Sequence, residues 1–271
     1  MQGSPAPEAH YAHCEAVVRD HDRDLWLACL YAPQPARRHI HAIYAYALEA
    51  ADVRAKVSQP LLGEMRLRWW TDALTGVASE GARAHPVADA LLDTMARFDL
   101  PRDELIALAE AHVADLYDDQ MPDIATLEDY CRMTAAGPIR WAARILGASP
   151  APVFDEAGLA LGLTRNLRKP AGAFLPADLL ARHGADIHAD TPALRAALAE
   201  LRDKALGHYE SARAAAGALE KGREALLPTA NVPVYLARME ARGYDPLKGV
   251  PEPSPLRRQW RIWRAARGVG L

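Results

Sequence analysis

The residues that build β-sheets are scarce in this chain. Its 271 residues include 8 Ile, 12 Val and 8 Thr, and these β-branched side chains are the ones that pack best on a pleated surface. Ala, Leu, Arg and Glu dominate instead, and all four are compatible with long helices. Half of the residues are apolar, which is enough to bury a large core. The sequence therefore predicts an all-α protein.

Prolines and capping residues divide the chain into about a dozen amphipathic segments. Pro86 and Pro101 each stand where a helix can begin, because proline is tolerated in the first turn. Thr126, with an acidic residue three positions later, predicts the start of a helix that reaches Leu146. These signals together predict a multi-helix bundle.

No internal repeat and no linker rich in Pro, Gly or Ser separates these segments. The first residues lack the basic and apolar pattern of a targeting sequence. We therefore predict a disordered lead over residues 1–8, followed by a single helical domain over residues 9–271.

Charge and cysteine content exclude several classes of protein. A net charge of −3 provides no basic field that would recruit nucleic acid. No apolar run approaches the roughly 18 residues that a membrane span needs. Cys14, Cys29 and Cys131 are scattered and have no metal-ligand spacing, which is typical of a reducing compartment. The composition predicts a cytoplasmic protein, and its Arg and Ala richness indicates a GC-rich bacterial source.

Acidic residues form one notable cluster. Asp115, Asp118 and Asp119 are spaced so that they would share a face of a helix, and grouped carboxylates can hold Mg²⁺. The alternative interpretation is a solvated helix end. Asp52 is a further acidic candidate, although Lys56 follows it closely.

Basic residues gather at Arg165, Arg168 and Lys169, immediately before Pro170. Cations at a helix C-terminus are favoured by the helix dipole, so a capping role is one interpretation. An anion site is the other, since Arg and Lys together suit a phosphate.

The segment 256–267 carries five arginines and no acidic residue. Leu256, Trp260 and Trp263 form one apolar stripe along it. We predict that this stripe covers the core while the arginines reach water. The alternative is peripheral contact with an anionic membrane surface, or with a partner.

Taken in order, several segments resemble the squalene/phytoene synthase family. Residues 32–46, which include the pair Arg37 and Arg38, resemble the family's entry helix. Residues 158–168 resemble its Gly-x-Ala-x-Gln-Leu-Thr-Asn-Ile-Leu-Arg helix, and residues 174–179 its Tyr-Leu-Pro-x-Asp-Leu motif. The resemblance implies an isoprenoid-synthase fold, condensation of two isoprenyl diphosphates in active members, and diphosphate binding by the arginines above.

The chain departs from the family at the metal-binding positions. Active members hold Mg²⁺ through two Asp-x-x-x-Asp pairs. Here the first pair falls on Ala51 and Ala55, which leaves Asp52 as the neighbouring acid, and the second falls on Lys169 and Ala173. Alanine cannot bind a metal and lysine repels one, so we expect no cofactor and a lost prenyl-transfer mechanism.

Residues 50–70 and 85–88 are similar to a divergent branch of the family, which includes a mitochondrial assembly factor of respiratory complex I with a degenerate synthase domain. The leading prediction is therefore a non-catalytic protein that binds a protein partner during respiratory complex assembly, at the inner membrane face.

Two alternatives remain open. The chain could transfer prenyl groups with an Mg²⁺ site rebuilt from Asp52, Asp115 and Asp119. It could also bind a prenyl diphosphate or a lipid in the bundle cavity without metal, through the basic residues at positions 165, 168 and 169.

Overall fold

The computed structural model describes residues 6–117, 119–172 and 174–268. Across these residues the regular structure is helical, and the one β-type pairing is an isolated bridge between Asp245 and Gly249. The all-α prediction is confirmed. The α-helices in chain order are α1 (Glu8–His21), α2 (Arg23–Cys29), α3 (Gln34–Ala51), α4 (Val53–Lys56), α5 (Pro60–Thr75), α6 (Ser79–Ala84), α7 (Pro86–Phe98), α8 (Arg102–Ala111), α9 (Ile124–Cys131), α10 (Gly137–Ile145), α11 (Pro152–Arg168), α12 (Ala177–His183), α13 (Pro192–Ala216), α14 (Val232–Arg238) and α15 (Pro255–Ala266).

Contacts divide the chain into two compact units, which are described separately. The first comprises the residues up to Tyr117 together with Gly137–Pro150 and Glu220–Ala225. Helix α3 is at its centre and packs against α1, α7 and α10. The helix is anchored through Tyr46, whose ring is fully buried and whose hydroxyl donates to the carbonyl of Leu105 at 2.6 Å.

The second unit comprises Asp118–Ala136, Ala151–Leu219 and Leu226–Leu271. Its core is the long contact between α11 and α13, and α11 also packs against α9 and α14. One face of α11 approaches a turn of π-helix, Arg132–Ala136, so closely that a Cβ on Gly158 would lie 2.1 Å from the Cα of Ala136. Only glycine permits this approach.

The predicted helix from Thr126 to Leu146 is confirmed as a continuous helical run over Ile124–Cys131, Arg132–Ala136 and Gly137–Ile145, but its predicted start is wrong and its middle contains a π-helical turn. The N-cap is Asp123, whose side chain accepts from the amide of Thr126 at 2.7 Å. The π-helical turn Arg132–Ala136 then joins α9 directly to α10. Asp at the N-cap satisfies an otherwise unpaired amide, and it therefore takes the role predicted for Thr126.

The predicted orientation of the 256–267 segment is also wrong. Leu256, Trp260 and Trp263 are exposed, and the buried residues of α15 are Ile262 and Ala265. The segment has two apolar faces, and the structure buries the smaller one.

Of the predicted disordered lead, residues 1–5 lie outside the described residues, and Glu8 already begins α1. The single domain over residues 9–271 stays a prediction. None of the helices in the described ranges combines the length and the apolar character that a membrane crossing requires.

Candidate functional site

Asp52 lies where the first carboxylate pair of the family-like motif would stand. It follows the last residue of α3, between the exposed Ala51 and Ala55. Its Oδ2 is 2.7 Å from Nε2 of His21 and 3.3 Å from Nζ of Lys56. The one acid in this motif is thus already engaged by two basic side chains of the same unit.

A second acid, Glu49, lies one turn earlier on α3 and was not among the predicted site residues. Burial raises its pKa above the ordinary range, against the opposing charges of Lys56 and His21. Its Oε2 lies 3.7 Å from Nε2 of His85, whose own pKa is lowered chiefly by burial. The signal for this pair was present in the sequence, because His85 belongs to one of the branch-like segments.

The rings of Trp69 and Trp70 enclose His85, with centroids 5.1 and 5.5 Å from its own. His85 is also the N-cap of α7, since its Nδ1 accepts from the amide of Ala88 at 3.4 Å. The two segments that resemble the divergent branch of the family therefore meet in the first unit, where Trp69 and Trp70 contact His85.

Asp115 and Asp119 do not share a helical face, which corrects the prediction from their spacing. Helix α8 ends at Ala111, a single 3-10 turn covers Ala114–Leu116, and Tyr117 is extended. The carboxylate of Asp115 lies 2.7 Å from Nδ1 of His112. Asp119 is an exposed residue outside any helix, and Asp118 lies outside the described residues. Aspartate is a poor helix former, which fits the end of α8 before this run.

In the described part of the chain, no group of three His, Cys, Asp or Glu side chains is arranged to hold a metal ion. The motif positions provide a single carboxylate, Asp52, which is shared with His21 and Lys56, and an ammonium group at Lys169. This donor set does not fit an Mg²⁺–diphosphate site of the two-motif kind. A site rebuilt from Asp52, Asp115 and Asp119 stays a prediction.

The predicted anion-binding pair on α3 has local partners. Arg37 donates from Nη2 to the carbonyls of Leu30 and Ala32, at 2.6 and 3.1 Å, and so caps the chain after α2. Arg38 pairs with Glu8 at 2.9 Å and lies over the ring of Tyr11. Both guanidinium groups join segments of the first unit.

Arg168 is part of an ion-pair network at the end of α11. Its Nη2 lies 2.5 Å from Oε1 of Glu252, and its guanidinium is 3.9 Å from the ring centre of Tyr235. Glu252 also accepts from Arg258 and from the hydroxyl of Tyr235, and the basic and phenolic partners hold its pKa below the ordinary range although burial opposes them. No local pattern could have predicted this network, because Glu252 lies 84 residues along the chain from Arg168.

The other two basic residues of this region, Arg165 and Lys169, are four residues apart. Both place positive charge near the buried thiol of Cys131, whose pKa burial nevertheless raises to about 12. Nζ of Lys169 lies 4.2 Å from the ring centre of Phe174, which in turn contacts Tyr130. A lysine packed against an aromatic ring therefore stands at the first position of the second carboxylate pair. The last position of that pair, Ala173, lies outside the described residues.

A groove of about 610 Å³ runs between α5 and α8 in the first unit. Its lining includes the exposed side chains of Leu61 and Met65, together with Val113. The charged residues Glu64 and Arg68 also line it. Such a groove has the size of a ligand site, and α5 belongs to the branch-like segment.

Comparison with known proteins gives a family and two kinds of relative. A family model described as squalene/phytoene synthase matches residues 18–264. The rat protein "NADH dehydrogenase (ubiquinone) complex I, assembly factor 6" is 26% identical over 191 residues, which are 67% of this chain and 57% of that protein. The chain thus spans little more than half the length of this relative. A phytoene synthase of Thermus thermophilus is 29% identical over 85% of this chain and 83% of its own.

The fold is also that of solved synthases. A dehydrosqualene synthase crystallised with a ligand superposes with a TM-score of 0.80 at 18% identity, over 96% of both chains. The predicted isoprenoid-synthase fold is confirmed.

Proposed function

This chain belongs to the squalene/phytoene synthase family, and we propose that it acts by binding in respiratory complex I-type assembly, without prenyl transfer. The observation that carries the proposal is that the first Asp-x-x-x-Asp motif has lost both of its aspartates, at Ala51 and Ala55. Its one acid, Asp52, is held by His21 and Lys56, between two alanines. Ionising an allylic diphosphate requires positive charge on the departing oxygens, which bound Mg²⁺ supplies, and one internally paired carboxylate is a poor ligand for it.

The similarity to complex I assembly factor 6 of rat supports the second half of the proposal. The chain has the fold of a synthase over nearly its whole length, since it superposes with a dehydrosqualene synthase over 96% of its residues. A scaffold can outlast the chemistry that it once supported. The protein partner would then bind a surface of the scaffold, at or near the inner membrane face.

A turnover assay tests the loss of chemistry. The purified chain is incubated with Mg²⁺ and either farnesyl or geranylgeranyl diphosphate, and release of diphosphate is followed with the Thermus phytoene synthase as positive control. We expect no release above the protein-free rate. Metal-dependent formation of a condensed product would refute the proposal.

A rescue experiment tests the assembly role separately. Human cells that lack assembly factor 6 would receive this chain behind a mitochondrial targeting sequence, and NADH dehydrogenase activity of complex I would be measured. We expect partial rescue, and equal rescue by D52N, because the proposal gives Asp52 no catalytic task. No rescue by a stably expressed, correctly located chain would count against the role.

Prenyl transfer is the second candidate, and the extent of the similarity favours it. The Thermus phytoene synthase aligns over 85% of this chain, whereas the rat assembly factor aligns over 67%. This candidate requires an Mg²⁺ site that is rebuilt from Asp52, Asp115 and Asp119. It predicts turnover that D52N, D115N or D119N abolishes, in the assay described above.

Metal-free anion binding is compatible with the first proposal and has its own test. Arg165 and Lys169, together with Arg132, place positive charge near Cys131, and this candidate assigns the anion to Arg165 and Lys169 beside Arg168. Calorimetry with farnesyl diphosphate in the presence of a chelator should give heat that R165Q/K169Q abolishes. An unchanged heat in this variant would show that the ligand binds elsewhere.

A further inference from the structure

Helix α15 has two opposite faces. Ile262 and Ala265 are buried, whereas Leu256, Trp260 and Trp263 are 78%, 54% and 40% exposed. These three recur at i, i+4 and i+7 and so form one stripe, on the side of the helix away from the buried pair. Large apolar groups grouped on a surface indicate a contact site.

Two arginines fix the orientation of the helix. Arg258 donates from Nη1 to Oε2 of Glu252 at 2.9 Å. Arg261 donates from Nε to the carbonyl of Ala230, also at 2.9 Å. Both contacts are on the buried side, within the second unit, and they hold the tryptophan stripe outward.

The other three arginines flank the exposed stripe. The guanidinium of Arg264 lies 4.7 Å from the ring centre of Trp260, and that of Arg267 lies 4.2 Å from that of Trp263. Arg257 is exposed in the first turn. No Asp or Glu occurs in α15, so its outer face is positively charged as well as aromatic.

We infer that this outer face of α15 lies on the surface of an anionic lipid bilayer. Tryptophan is favoured at the level of lipid headgroups, because its ring is apolar and its N–H is polar. Guanidinium groups pair well with phosphate oxygens. A helix with aromatic residues on one side, arginines beside them and little overall hydropathy is typical of helices that lie in the plane of a membrane interface.

Charge decides between a bilayer and a protein interface. Cores of protein interfaces are depleted in charged residues, whereas three like charges around two tryptophans are complementary to a dense layer of anionic headgroups. The inference does not rest on the proposed function, since an enzyme of this fold could use the same surface.

Co-sedimentation with vesicles tests the inference on the full chain. One set of vesicles contains phosphatidylcholine and phosphatidylglycerol in equal parts, and the other contains phosphatidylcholine alone. We expect binding to the anionic vesicles that weakens as salt is raised. R257Q/R264Q/R267Q should lower the partition coefficient by about 100-fold, and W260A/W263A by at least about tenfold.

Matched variants control for charge and for loss of fold. R182Q/R213Q/R242Q removes three charges from exposed positions elsewhere in the second unit, and L206A/L247A removes two half-exposed leucines. Both controls should bind anionic vesicles like the wild type, and all variants should show its circular dichroism.

Three outcomes would overturn the inference. The first is absence of wild-type binding to anionic vesicles, and the second is equal weakening in the R182Q/R213Q/R242Q control. The third is a dimer in solution that W260A/W263A dissociates, without vesicle binding, since a second copy of the chain would then cover the stripe.

Discussion

The close approach of α11 to the π-helical turn gives a sharp prediction about stability. In G158A the new Cβ would lie 2.1 Å from Cα and 2.2 Å from Cβ of Ala136, and ordinary contacts of this kind need more than 3.4 Å. Because the opposing atoms include backbone, no side-chain rotation relieves the overlap, and α11 must move by more than about 1 Å. Overpacking of this kind costs about 3 kcal/mol, and the helix propensity of alanine returns about 1 kcal/mol. We expect G158A to lower the free energy of unfolding by about 2 kcal/mol.

Gly207, in the middle of α13, is the matched control. A Cβ there meets no atom within 4 Å, so G207A gains helix propensity without a clash and should raise the free energy of unfolding by up to about 1 kcal/mol. Urea unfolding of the full chain, followed by circular dichroism, measures the free energy of unfolding of both variants. The comparison requires that its slope against urea concentration be the same as in the wild type. If G158A is as stable as the wild type, α11 does not approach Ala136 as closely as this prediction requires. If G207A is destabilised as well, the substitution acts through something other than the clash.

Two further predictions concern single side chains. Burial lowers the pKa of His41 to about 4 from 6.5, with Arg37 adding to this and Glu15 opposing it, so the unfolded chain takes up this proton first as the pH falls. The free energy of unfolding should therefore decrease as the pH falls from about 6.5 to about 4. In H41Q, the slope of this free energy against pH should be smaller by up to about 1.4 kcal/mol per pH unit. An unchanged slope, measured by urea unfolding of the variant at several pH values, would contradict this assignment. The second prediction concerns the N-cap of α9. D123A should lower the free energy of unfolding by about 1 kcal/mol, since it leaves the amide of Thr126 unpaired. A D123A variant with the same urea midpoint as the wild type would show that Asp123 is not the cap.

The helices were predictable from the sequence where local signals decide them. Pro86 was expected where a helix can begin, and it is the first residue of α7, because a proline in the first turn is a signal that acts within a few residues. The π-helical turn between α9 and α10 was not predicted. The π-helical turn there packs against α11 at Gly158, and a contact between segments this far apart leaves no trace in local periodicity.

The candidate site was predictable in its chemistry and much less so in its contacts. The sequence alone identified Asp52 and the basic run at the end of α11. It did not identify His21 as the partner of Asp52, nor Glu252 as the partner of Arg168, because both contacts join segments that only the fold brings together. A charged residue that looks available for a ligand in the sequence can already have its counterion in the structure.

The ion pair of Arg168 also connects the altered motif region to the surface of α15. Glu252 is shared by Arg168 of α11 and Arg258 of α15. The residues just before Glu252 are held close to the end of α11. A Cβ on Gly249 would lie 2.5 Å from the carbonyl oxygen of Arg168, and the amide of Val250 donates to that oxygen at 3.0 Å. An arginine that could have faced a diphosphate therefore orients the segment that leads into α15. Arg258 helps to keep the inner face of that helix against the second unit, so this network and the contact of Arg261 with Ala230 together hold the tryptophan stripe outward.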